Sequence, residues 1–255
     1  MQFMKTNLAI AIAAGSILAA CPTHADPIIS VDLLNASGQA ITGSYGIAGL
    51  GTVVSGWNNP IKLYSLANLS YSDGTSSTVS YSLTDSSGSY SSFNAAYAGT
   101  PLAGGPATYG TPTTLTLNNL NANFANGYWL LVYVGGYNAN TGSSISDGAT
   151  TYFYRPDPAP TNPYGAFVQT TQTTDPGVGN EPVAQYAVFG SSSSPLASDS
   201  LTLTFSTVSG AAGGGAIGGF QIIGAPAPVP EPASSAVVAL GGLGLLVGAQ
   251  RRRRK

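Results

Sequence analysis

From Asp26 to Gly224 no apolar repeat near 3.6 residues is sustained, so long amphipathic helices are not expected in the body of the chain. Short runs rich in β-branched and aromatic residues recur instead, separated by Gly, Ser, Asn, Asp and Pro clusters. Strands are predicted at 28–34, 61–66, 78–83, 113–117 and 128–134, then at 150–154, 166–170, 184–189, 201–205 and 219–223. Leu201 to Phe205 alternates apolar and polar at every step, the signature of a strand with one buried face. Tyr128 to Val134 (YWLLVYV) is apolar in both phases and predicts a central strand buried on both faces. Its aromatics suit core filling better than a sugar platform, because large rings supply buried area wherever a core needs it. Ten short strands with turn signals between them predict an all-β, two-sheet sandwich over residues 26–224.

The two ends break this pattern. Residues 1–25 carry Lys5, an apolar run from Leu8 to Ala20 and small residues at Thr23-His24-Ala25, which is the plan of a secretory signal peptide. Leu18-Ala19-Ala20-Cys21 also fits a lipobox, in which Cys21 would be acylated, so cleavage after Ala25 and lipidation at Cys21 both stand as readings. Either route takes the chain out of the cytoplasm. At the other end, residues 233–249 are uncharged and apolar, and a basic tail at 250–255 follows. Seventeen residues at 1.5 Å each would make a helix of about 25 Å, at the short limit for a bilayer. A transmembrane helix is expected there. Arg251, Arg252, Arg253, Arg254 and Lys255 would stop transfer and hold that end in the cytoplasm.

Charge changes the picture of the middle. Charged residues are 7% of the chain, against about 25% in an average soluble domain. Between Asp26 and Val229 there are two cations, Lys62 and Arg155, against nine acidic residues, a net charge of −7. That balance excludes nucleic acid as a partner, which needs a basic face. The surface must instead be wetted by Ser, Thr, Asn, Gln and Tyr, a composition common in secreted, matrix-exposed proteins.

Catalytic chemistry is restricted just as sharply. Cys21 and His24 are the single Cys and single His, and both lie in the signal segment. The exported part then has no disulfide, no His or Cys zinc site and no Ser-His-Asp or Cys-His pair. Acidic residues come singly, and none is nominated as half of a glycosidase carboxylate pair. Asp73-Gly74 and Asp147-Gly148 are turn dipeptides, while Asp157-Pro158 and Asp175-Pro176 punctuate loops. The expectation is a protein that is not an enzyme and has no cofactor. A structural Ca²⁺ held by backbone carbonyls and one Asp stays open and unlocated. Two residues invite a ligand reading. Arg155 ends the run Tyr152-Phe153-Tyr154 and could hold a sugar hydroxyl or a uronate, against an ion pair with Asp157 or another acidic residue, or packing over Tyr. Trp57, beside Asn58 and Asn59, invites the same reading against a place in the core.

Residues 225–232 (APAPVPEP) hold four prolines and form a stiff, extended linker before the apolar segment. Pro230-Glu231-Pro232, a short apolar helix and an Arg cluster, in that order, resemble the PEP-CTERM sorting signal of Gram-negative bacterial surface proteins. The resemblance implies recognition by an exosortase, a membrane cysteine transpeptidase, with cleavage near the motif and release or re-anchoring outside. Pro230, Glu231 and Pro232 would be recognised rather than catalytic. Ile29-Ser30-Val31-Asp32, Trp57-Asn58-Asn59, residues 128–137, 186–189 and 218–223 also resemble a galactose-binding-like jelly-roll domain. The implied protein is a cell-surface or extracellular-matrix component, sorted by its tail. A carbohydrate-binding module for exopolysaccharide is the alternative.

Overall fold

The computed structural model describes residues 27–33, 40–41, 45–46, 53–61, 63–84, 90–91, 102, 105–106, 112–136, 142–156, 167–208 and 215–227. Two antiparallel sheets dominate. The four-stranded sheet runs β1 (Ile28–Asp32), β14 (Gly215–Gly224), β9 (Tyr128–Gly136), β12 (Tyr186–Phe189). The six-stranded sheet runs β11 (Thr151–Tyr154), β10 (Ser143–Ser146), β13 (Leu201–Thr207), β8 (Thr113–Asn118), β5 (Ser80–Thr84), β4 (Ser65–Leu66). Two minor hairpins pair β2 (Tyr45–Gly46) with β3 (Val53–Val54), and β6 (Tyr90–Ser91) with β7 (Gly105–Pro106).

One apolar cluster joins the inner faces of both large sheets. The alternation Leu115, Leu117 on β8 and Leu201, Leu203, Phe205 on β13 delivers one face. Leu130 and Val132 on β9 with Phe220 and Ile222 on β14 deliver the other. Tyr81 meets Phe220 edge-on across the gap at 5.8 Å, and Tyr152 meets Phe189 at 5.2 Å. The expected sandwich is therefore present. β9 is interior to its sheet and buried along 128–134, as its two-phase apolar run predicts. Its outward residues Trp129, Leu131 and Tyr133 pack under a second cluster with Ile41, Val54, Trp57, Leu102, Tyr186 and Ile223.

Irregular segments close both flanks. On one side Thr170 N–H donates to Tyr186 O at 2.9 Å, while Phe153 N–H donates to Gln172 O at 2.8 Å. One segment thus ties β12 to β11. On the other, Tyr71 bridges Ile29 of β1, and Leu69 N–H donates to Val79 O just before β5. Stitching of this kind satisfies edge groups that would otherwise template aggregation.

Several expected strands differ. The run 61–66 shortens to Ser65–Leu66, because Ile61 and Leu63 stay exposed and gain no burial from pairing. Of 166–170, the described residues make a single bridge from Gln169 to Tyr186 rather than a strand. β10 was not expected, since Ile145 is its one apolar residue; its neighbours β11 and β13 create it. A four-residue helix, α1 (Leu120–Asn123), buries Leu120 at one end of the sandwich. Among the described residues no helix is long and apolar enough to cross a membrane, and 233–249 lies outside them. The signal segment and the basic tail also lie outside the described residues.

Candidate functional site

The Trp57-Asn58-Asn59 triplet is a clamp. Asn58 Nδ2 donates to Ser30 O at 3.0 Å and Ser70 O at 2.9 Å, and its Oδ1 accepts from Ser70 N–H at 2.9 Å. Asn59 Oδ1 accepts from Ile41 N–H at 2.9 Å, and its Nδ2 donates to Trp57 O at 2.9 Å. Trp57 itself is 8% exposed, donates Nε1–H to Val54 O at 3.2 Å and tilts its ring on Tyr133. The structure places Trp57 in the outer-face cluster.

Arg155 is half-buried at the end of β11. Its Nε–H donates to Glu181 O at 2.7 Å, and its backbone pairs with Pro182 and Ala184. The partner is thus a main-chain carbonyl, while Asp157 lies outside the described residues. Glu181 is buried, with Oε2 accepting from Gly179 N–H at 2.9 Å and Oε1 without a hydrogen-bond partner. Its carboxyl lies against Gly142, where a Cβ would collide with Oε1. Trp57 and Arg155 are therefore not brought into one site.

Among the described residues Asp32 is the most perturbed carboxyl. It is fully buried on the outer side of β1, accepts from Leu102 N–H at 3.2 Å and leaves Oδ2 without a partner. Burial pushes its pKa up to about 7, offset in part by the Leu102 and Ile41 amides. Leu102 can reach it because Gly218 and Gly219 form a bulge in β14 on which Leu102 lies; a Cβ at either glycine would strike it. Nearby, Tyr133 Oη donates to Gln221 Oε1 at 2.6 Å and Gln221 Nε2 donates to Ser30 Oγ at 2.9 Å, a buried polar ladder across three strands. Burial holds Tyr81, Tyr128 and Tyr154 well above the usual phenol range, so these hydroxyls stay protonated. Among the described residues no three His, Cys, Asp or Glu side chains gather where they could hold a metal ion.

The outer face of the six-stranded sheet is a feature that motif searching passes over. Thr84, Thr114, Thr204, Ser146 and Thr151 are direct neighbours in one row across five strands. Ser65, Ser82, Thr116 and Thr202 form the next row in the same way. Thr116 and Thr202 hydroxyls are 3.1 Å apart, and Thr151 Oγ1 donates to Ser146 Oγ at 2.9 Å. The signal was present in the polar phase of TTLTLN, LTLTFST, SYSLT and SSIS, where each outward residue is Ser, Thr or Asn.

No curated protein and no solved structure matches the chain. Residues 228–255 match the PEP-CTERM protein-sorting motif, so the C-terminus is that of a protein exported, held at the membrane before processing and sorted by an exosortase.

Proposed function

We propose that this chain is a non-enzymatic cell-surface or extracellular-matrix protein whose sandwich is delivered outside by its tail. The observation that carries the reading is the sorting-motif match over 228–255, which spans Pro230-Glu231-Pro232 and the terminal cations. Supporting it are the signal-like residues 1–25 and the lack of Cys and His after residue 24. In this reading the bacterium is Gram-negative, the sandwich is a jelly-roll of the galactose-binding-like type, residues 233–249 span the inner membrane before cleavage, and no cofactor is needed. Exopolysaccharide binding is a second role on the same scaffold, favoured by the uncharged hydroxyl face of the six-stranded sheet.

The tail's parts have separable jobs. Moving five cations through hydrocarbon is costly, so they stop transfer. The proline-locked backbone of 230–232 instead presents an extended segment to the processing enzyme. Replacing Arg251 to Lys255 by Ser is expected to release precursor to the medium with its tail attached. Replacing Pro230, Glu231 and Pro232 by Ala is expected to leave insertion intact and accumulate an uncleaved, membrane-bound precursor. The mass of the C-terminal peptide in each fraction reads both results. Normal processing of the triple-Ala variant would reduce the motif to a spacer and overturn the sorting role.

A further inference from the structure

The two sheets treat their outer faces differently. The four-stranded sheet hides its outer face under the second apolar cluster, whereas the described outward residues of the six-stranded sheet are half-buried to exposed. An open sheet face is ordinarily wetted by a mixture of charged and polar side chains. Here the central strands β5, β8, β13 and β10 present only Ser, Thr and Asn outward. Strand spacing of about 4.8 Å and an alternate-residue repeat of about 6.8 Å set the hydroxyls on a regular grid. The row from Thr84 to Thr151 spans four strand gaps, about 19 Å. Threonine χ1 is stiff, so much of the ordering entropy of such an array is already lost before any ligand arrives. In the adjoining row Phe153 is a direct neighbour of Ser144, which in turn neighbours Ser206. A partly exposed aromatic ring thus stands at the margin of the hydroxyl grid, with Arg155 two residues beyond it on the same side of β11.

We infer that the outer face of the six-stranded sheet, from the Thr84–Thr151 row to Phe153, binds a neutral linear polysaccharide chain laid across the strands. The hydroxyl rows exchange hydrogen bonds with sugar hydroxyls, and Phe153 offers its ring to the apolar face of a sugar. Charge selects the class of glycan. The hydroxyl rows carry no ion to pair with a uronate, Arg155 at their margin gives its Nε–H to Glu181 O, and the net charge of −7 between Asp26 and Val229 repels polyanions. Twist selects its form. Neighbouring strands rotate by roughly 20–25°, so a flat crystalline face cannot stay in register with five strands, while a single flexible chain can follow them. The inference rests on the export reading, because only an exported sandwich meets polysaccharide.

The test is affinity electrophoresis of the full-length chain in detergent micelles through gels containing mixed-linkage β-glucan, mannan, dextran or, as the anionic comparison, alginate. Retardation by at least one neutral polymer is expected, and it is expected to be the same at low and high salt. The triple variant T114V/T204V/T151V keeps shape and strand propensity, and is expected to weaken binding on the order of tenfold or more as three hydrogen-bonding hydroxyls are lost. F153A is expected to weaken it independently, whereas T114S/T204S/T151S, which keeps the three hydroxyls and loses the stiff χ1, is expected to retain more binding than the valine triple. Circular dichroism and melting of each variant separate lost binding from lost folding. No retardation by any neutral polymer, retardation by alginate alone, or unaltered binding by both T114V/T204V/T151V and F153A would overturn the inference. The export reading fails separately, through the C-terminal peptide mass.

Discussion

Asp32 shows how a single side chain sets a pH dependence. An exposed carboxyl in the unfolded chain has a pKa near about 3.9, whereas burial lifts the folded value to about 7. The folded state therefore holds this proton more tightly. Its contribution to stability is complete below about pH 4, declines by about 1.4 kcal/mol per pH unit as pH rises, and is gone above the folded pKa. Asp32→Asn keeps an acceptor for Leu102 N–H and removes the buried charge. It is expected to melt above the parent at pH 8, with the gap closing towards pH 4; a gap that does not depend on pH would refute this account. Asn58 acts by hydrogen bonding alone. Asn58→Ala deletes the side-chain bonds to Ser30 O, Ser70 O and Ser70 N–H; Ser30 O keeps the residue-58 amide, while the Ser70 groups lose their Asn58 partner. A loss of about 2–4 kcal/mol is expected from urea unfolding, since three part-buried bonds are lost at about 0.5–1.5 kcal/mol each. A loss under half of one such bond would show that water replaces the clamp.

At the scale of elements, the bulge in β14 is the most exposed to a small change. Its register shifts between Ile217 and Gly219, and Leu102 lies directly on Gly218. Gly218→Ala forces the Leu102 backbone away, and with it the amide that binds Asp32. The variant is expected to lose stability and to show faster amide exchange at Leu102, while exchange across the β8–β13 pair stays slow. Equal acceleration in both places would mean that the bulge is coupled to the whole sandwich. The turn into β9 has a similar dependence at Gly127, whose φ of +87 and proximity to Pro195 and Leu196 leave no place for a side chain. Strand content was legible where one phase was consistently apolar, as in β8 and β13. It was not legible in Ser143–Ser146, where pairing on both sides supplies what the side chains do not.

For the whole molecule, the shared inner core makes the two sheets one cooperative unit. Phe220 packs on Tyr81 from the opposite sheet, and Phe220→Ala is expected to cost about 3–5 kcal/mol. Trp57 and Trp129, the chain's two tryptophans, lie in the other cluster. Their fluorescence is nonetheless expected to change at the same urea concentration as the far-UV circular dichroism; two separate midpoints would show that the outer cluster melts alone. The all-β class, the buried central strand, the charge-poor surface and the sorting tail were determined by the sequence itself. Each depends on local periodicity, composition or a contiguous motif, which survive without coordinates. The tertiary structure decided the rest. Trp57 went into a second apolar layer because Leu102, Tyr133 and Tyr186, all far along the chain, join it there with Ile41 and Val54. Asp32 became a buried acid because a glycine bulge 186 residues away lets Leu102 cover it. The hydroxyls of five strands became one row only through strand order, since pairing brings Thr84 and Thr204 to opposite sides of Thr114 although they lie far apart along the chain.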